Sequence, residues 1–108
     1  MIEQYPKKEI LDLIKEIETQ PDITQRQISD TLGISLGKTN YLLKELIKKG
    51  LVEVNNFTGN SGKLEKIHYM LTRRGFEHKI LLLQHFLKEK EGEYIKLKEE
   101  WEKVKDKI

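Results

Sequence analysis

The tightest constraint on this 108-residue chain is a pair of helix boundaries crowded between Thr24 and Ser35. Thr24 has the chemistry of a helix N-cap, and Gln27 three positions on completes a capping box. Ile28 and Leu32 lie one turn apart and so share a face. Gly33 stops the helix, because glycine enters the left-handed region without a Cβ penalty. Ser35 caps a second helix only two residues later. Two short helices about a glycine-containing three-residue turn make a helix-turn-helix, whose second helix is free to lie in a DNA major groove.

The second helix, read as a recognition helix over 35–49, divides into two sides. Leu36, Thr39, Leu43 and Leu46, flanked by Leu42 and Ile47, form a stripe expected to face the first helix. Gly37, Lys38, Asn40, Tyr41, Lys44 and Lys48 remain outward. Those types suit a groove. Lysine donates to phosphate or guanine, asparagine pairs with adenine, and glycine lets the backbone approach closely. Taken alone, such a helix is more simply a solvated amphipathic surface; the capped turn before it and a strand after it favour DNA. Ser35 and Arg26 are placed for the phosphate backbone, Arg26 beside the exposed amides of a helix N-terminus. A merely solvated Arg26 is the equal alternative.

Charge supports the same placement. The net charge is only +2, but its distribution is uneven. Residues 1–34 carry 4 Lys/Arg against 7 Asp/Glu, residues 35–74 carry 8 against 3, and the remaining tail balances 8 against 8. The local excess of +5 therefore sits on the second helix and the strands after it, where phosphates would lie. A dimer would double that field.

Along the chain, Pro6 opens a scaffold helix with Ile10, Leu13, Ile14 and Ile17 on one face, ended at Thr19-Gln20-Pro21-Asp22. Gly50 ends the recognition helix. Leu51-Val52-Glu53-Val54 alternates as a half-buried strand, and Ile67, Tyr69 and Leu71 recur at period two. These two strands, with the turn-rich segment 58–63 between them, predict a hairpin wing over 52–70 whose tip presents Lys63 to the backbone or the minor groove.

Thr72 caps a final helix, with Glu77 favouring its start. From Ile80 a heptad register runs through Leu83, Leu87, Tyr94, Leu97, Trp101, Val104 and Ile108, broken by Lys90 and by Gly92 beside it, which could kink the helix. Leu81, Leu82 and Phe86 widen the apolar face near its start and are expected to fold back on the domain. Farther along, the seam suits a second copy of the chain. With Ile80 at position a, Glu93 and Glu100 meet Lys98 and Lys105 of a parallel partner, and antiparallel pairing stays open. The low apolar content, 37%, also favours help from a partner subunit. The expected fold class is mainly α with a small β-wing: a winged helix-turn-helix over 1–74, then a coiled-coil-like dimerisation segment over 75–108.

Other chemistries find little footing. There is no cysteine, so disulfides and thiolate metal sites are excluded. His68, His78 and His85 lie on different elements or seven apart, which is a poor metal set, and no cofactor is expected. Gly33 to Thr39 mimics a phosphate loop only loosely, with its glycines one residue too close and no buried strand before it. No apolar run is long enough to span a membrane, and MIEQYPKKEI lacks a signal-peptide core, so a cytoplasmic protein, associated with the nucleoid when bound to DNA, is expected. Nothing supplies a paired acid and base in a cleft, so no enzyme is expected.

Thr24-Gln25-Arg26-Gln27, Leu32-Gly33-Ile34-Ser35-Leu36-Gly37-Lys38, Asn40-Tyr41-Leu42-Leu43 and Lys49-Gly50-Leu51-Val52 resemble MarR-type winged-helix regulators. The Ser-Leu-Gly-Lys opening, the Asn-Tyr after it and Asn56-Phe57 at the wing resemble the small exopolysaccharide-associated group, and Leu71-Thr72 with Gly75 resembles the family's junction after the wing. The likeness spans residues 6–90. It implies a homodimer on palindromic operator DNA, usually repressing and sometimes released by a small-molecule effector, here unknown. Two departures stand out. The wing tip is GNSGK where the family commonly carries an acidic-basic pair, and the N-terminal part is short. The runner-up function is a winged-helix protein-interaction module whose tail binds a different protein.

Overall fold

The computed structural model describes residues 7–57 and 66–108. Helix α1 spans Lys7–Thr19, α2 Gln25–Leu32 and α3 Leu36–Lys48. Strands β1, Val52–Phe57, and β2, Lys66–Leu71, come next, and then the long helix α4, Arg73–Val104, closed by a short 3₁₀ turn. Pro6, residues 58–65 and with them Lys63 fall outside the described residues.

The local signals act as their chemistry requires. Thr24 Oγ1 accepts from the Gln27 amide at 3.1 Å while Gln27 Oε1 accepts from the Thr24 amide at 2.9 Å, which satisfies two orphan donors of α2. Gly33 sits at φ 69° and its N–H donates to the Ser29 carbonyl, so the chain leaves α2 through a conformation that costs a Cβ-bearing residue more. Ser35 Oγ accepts from the Lys38 amide at 3.0 Å to open α3.

One apolar cluster holds the three short helices and the hairpin together. Helix α1 contributes Ile10, Leu11, Leu13, Ile14 and Ile17, all nearly inaccessible, under Ile28 of α2 and Leu42, Leu43 and Leu46 of α3. The stripe on α3 is narrower than its sequence suggests. Thr39 is fully buried, but Leu36 and Ile47 are 43% and 37% exposed. Both lie at the rim, one at each end of a helix whose middle turns alone meet the core.

β1 and β2 pair antiparallel with Val52 opposite Leu71 and Val54 opposite Tyr69. Val52 and Tyr69 close the cluster from that side, and the Tyr69 N–H donates to the Pro21 carbonyl at 3.3 Å, tying the hairpin to the loop after α1.

α4 leaves this body as a single helix. Thr72 Oγ1 accepts from the Gly75 amide at 3.0 Å and donates to the Gly50 carbonyl at 2.7 Å, so its cap is fastened to the end of α3. Gly75 lies so close to the turn after α3 that a Cβ there would stand 2.1 Å from the Leu51 carbonyl oxygen. Leu82 and Phe86 reach the core as expected, whereas Leu81 is 62% exposed and points away from it. The division into two helices anticipated at Lys90 and Gly92 does not occur: α4 runs unbroken through both. One glycine costs a helix only about 1 kcal/mol, too little to interrupt 32 residues.

Candidate nucleic-acid interface

α3 presents its polar side to solvent. Gly37, Lys38, Tyr41, Lys44 and Lys48 are all exposed, and Ser35 stands exposed at the helix start. Lys44 and Lys48 are one turn apart and share a face, with Tyr41 a turn before Lys44 on the same side. Arg26 is exposed in the first turn of α2. The fold therefore brings Arg26, Ser35, Gly37, Lys38, Asn40, Tyr41 and Lys44 onto the helix-turn-helix; Lys63 lies outside the described residues.

Lys38 and Asn40 are engaged by distant parts of the chain, which the sequence did not suggest. The Lys38 ammonium lies against the Glu9 carboxylate of α1, hydrogen-bonded to Oε1 at 2.9 Å and 2.8 Å from Oε2. Asn40 is only half-exposed and donates through Nδ2 to Gln25 Oε1 at 3.1 Å. Gln25 donates in turn to the Tyr69 hydroxyl at 3.2 Å. Glu9 and Gln25 are thus the residues that sequence reading passed over. They lie 29 and 15 positions from their partners, and no local pattern joins residues so far apart.

The histidines stand away from this face. His68 Nδ1 lies 3.1 Å from Asp22 on the loop after α1, and His85 packs edge-on against Phe86 in α4. His78 is half-buried, and loss of solvent pushes its pKa below the ordinary value of 6.5.

Residues 7–53 match the family described as winged helix-turn-helix DNA-binding. Among solved structures, Staphylococcus aureus MarR, in complex with salicylate and kanamycin, is 21% identical with a TM-score of 0.63, covering 81% of this chain. A point mutant of S. aureus MepR is 19% identical with a TM-score of 0.68 over 98% of this chain. The fold is the one shared by these MarR and MepR structures. A second MepR mutant, bound to an oligodeoxyribonucleotide, is 20% identical with a TM-score of 0.59 over 92% of this chain. The present chain spans 56% of the length of that MarR and 78% and 72% of the two MepR chains. No curated protein matches it in sequence. Among the described residues, no helix is long and apolar enough to cross a membrane.

Proposed function

We propose that this chain is a sequence-specific regulator of transcription, acting as a dimer on double-stranded DNA and most simply as a repressor. The observation that carries the proposal is the uncovered polar side of α3, with Tyr41, Lys44 and Lys48 turned outward from a helix whose opposite side is anchored by Leu42, Leu43 and Leu46. In this reading α3 enters the major groove through Gly37, Lys38, Asn40, Tyr41 and Lys44. Arg26, Ser35 and the wing residue Lys63 lie on the phosphate backbone.

The second half of the proposal is the dimer. From Leu87 to Ile108 every residue of the tail is exposed, and Tyr94, Leu97, Trp101 and Val104 are 48–66% exposed on one stripe. A run of apolar side chains that no other described residue of the chain covers is the seam a second copy would cover, together with Ile80, Leu83, Leu87 and Ile108. A two-fold dimer would address a palindromic operator with half-sites about 34 Å apart. The relatives solved with an oligodeoxyribonucleotide and with small molecules support DNA binding and leave room for an effector. The reading assigns no catalytic step and places the chain in the cytoplasm.

Titration of labelled duplex DNA at increasing salt tests it. Affinity should fall steeply with salt, and Lys44→Ala should lower the slope of log affinity against log salt by about one. Lys38→Ala should lower it by less, because Glu9 already neutralises part of that charge. Sedimentation should show a self-dimer at micromolar concentration. A monomer that ignores DNA at every salt concentration would leave the protein-interaction module standing instead.

A further inference from the structure

We propose that Gln25 is a positioning residue that fixes the base preference of Asn40, with the Tyr69 hydroxyl holding Gln25 in place. The proposal rests on the reading of α3 as the major-groove helix.

Three elements meet in this contact. Gln25 is the first residue of α2, Asn40 lies on α3, and Tyr69 lies on β2. The two ends of the Gln25 amide are used in opposite senses: Oε1 accepts from Asn40 Nδ2 at 3.1 Å, and Nε2 donates to the Tyr69 hydroxyl at 3.2 Å. Tyr69 is 4% exposed and its backbone is tied to Pro21, so its hydroxyl is a fixed post. Turning the Gln25 amide over would set its NH₂ against that of Asn40, donor facing donor.

The consequence falls on Asn40. One of its Nδ2 hydrogens is committed to Gln25, which leaves the other hydrogen and Oδ1 for a base edge. Flipping the Asn40 amide would bring Oδ1 against Gln25 Oε1, acceptor facing acceptor. With Gln25 Oε1 facing it, the asparagine is presented with its donor and acceptor in one order, and the two amides can reverse only together, with the Tyr69 hydroxyl donating to Gln25. Adenine offers the complementary pair in the major groove, N7 to accept and N6–H₂ to donate; guanine offers two acceptors there and cytosine a lone donor. Gln25 need not touch DNA to decide which base is read.

Selection of bound sequences from a random duplex pool, using the full chain, tests the assignment. Wild type should enrich adenine at one base pair of each half-site, and Asn40→Ala should abolish that enrichment. Gln25→Ala should relax it by roughly tenfold at that position alone, with preferences elsewhere in the site and the salt slope unchanged. Gln25→Glu keeps an acceptor for Asn40 and lets the Tyr69 hydroxyl donate instead, so it should restore the wild-type preference even though the added charge weakens binding throughout. Tyr69→Phe keeps the packed ring and should relax the same position partly, and it decides the matter if thermal melting shows Gln25→Ala to be unfolded.

A folded Gln25→Ala with the full adenine preference overturns the proposal. So does a loss spread evenly over every position of the site, which would mark a purely structural residue. A wild-type chain that enriches no sequence at all overturns the DNA-reading function itself, an outcome distinct from either.

Discussion

Helices α3 and α4 are built on the same plan and meet opposite fates. Each carries an apolar stripe along a polar rod. In α3 the stripe is sealed within the chain's own core, with Leu42, Leu43 and Leu46 at 1–2% exposure, and the polar side is left over. In α4 beyond Phe86 the stripe itself is left over, with Leu97 and Trp101 at 66% and 54%. Periodicity states which side of a helix favours burial. It does not state what covers that side, and here the difference separates a helix available to DNA from a helix available to a second copy.

The widest gap between the two regions should appear on truncating one leucine in each. Leu43→Ala should cost about 3 kcal/mol in urea unfolding, because it empties a closed site. Leu97→Ala should cost under about 0.5 kcal/mol where the chain is monomeric and show itself in weakened self-association. Equal costs at low concentration would erase the contrast.

A glycine pair sharpens it within α4 alone. Gly75→Ala drives a Cβ into the Leu51 carbonyl and should destabilise by about 1–3 kcal/mol. Gly92 has open space around its missing Cβ, so Gly92→Ala should stabilise by about 0.5–1 kcal/mol through helix propensity. Matching signs would mean that root and tip of α4 do not differ as described.

The smallest effect concerns His78, on the root side of the boundary. Its folded pKa lies below 6.5, so the unfolded chain binds the extra proton as pH falls through that value. Its contribution is thus complete above the unfolded pKa and declines as pH drops toward the folded one. The urea midpoint should fall between about pH 7.5 and about pH 5.5, and His78→Gln should flatten that part of the decline. An identical decline in the variant would assign it to other groups.

What was legible beforehand was what depends on neighbours within a turn. The capping box at Thr24, the left-handed exit at Gly33, and the caps at Ser35 and Thr72 each involve partners three or four residues away, and all took the conformation their chemistry requires. The hairpin was visible in the alternation at Ile67, Tyr69 and Leu71. Misjudgements arose where tertiary geometry decides. Leu36 and Ile47 have the right spacing but lie at the two ends of α3, at the rim of the core. Leu81 is as apolar as Leu82 but lies about 100° around the helix from it, which takes it off the core. The pairing of Lys38 with Glu9 and the bridge from Asn40 through Gln25 to Tyr69 join distant segments, and only folding reveals them.

The fastening of Thr72 to the Gly50 carbonyl has a mechanical corollary. It bolts the base of α4 to the very turn where α3 ends, so the two helices cannot pivot independently about that joint. A rod of 32 residues is about 48 Å long, and a tilt of about 5° at its foot swings the far tip by about 4 Å. The tail is in this sense a lever whose foot rests against the end of α3.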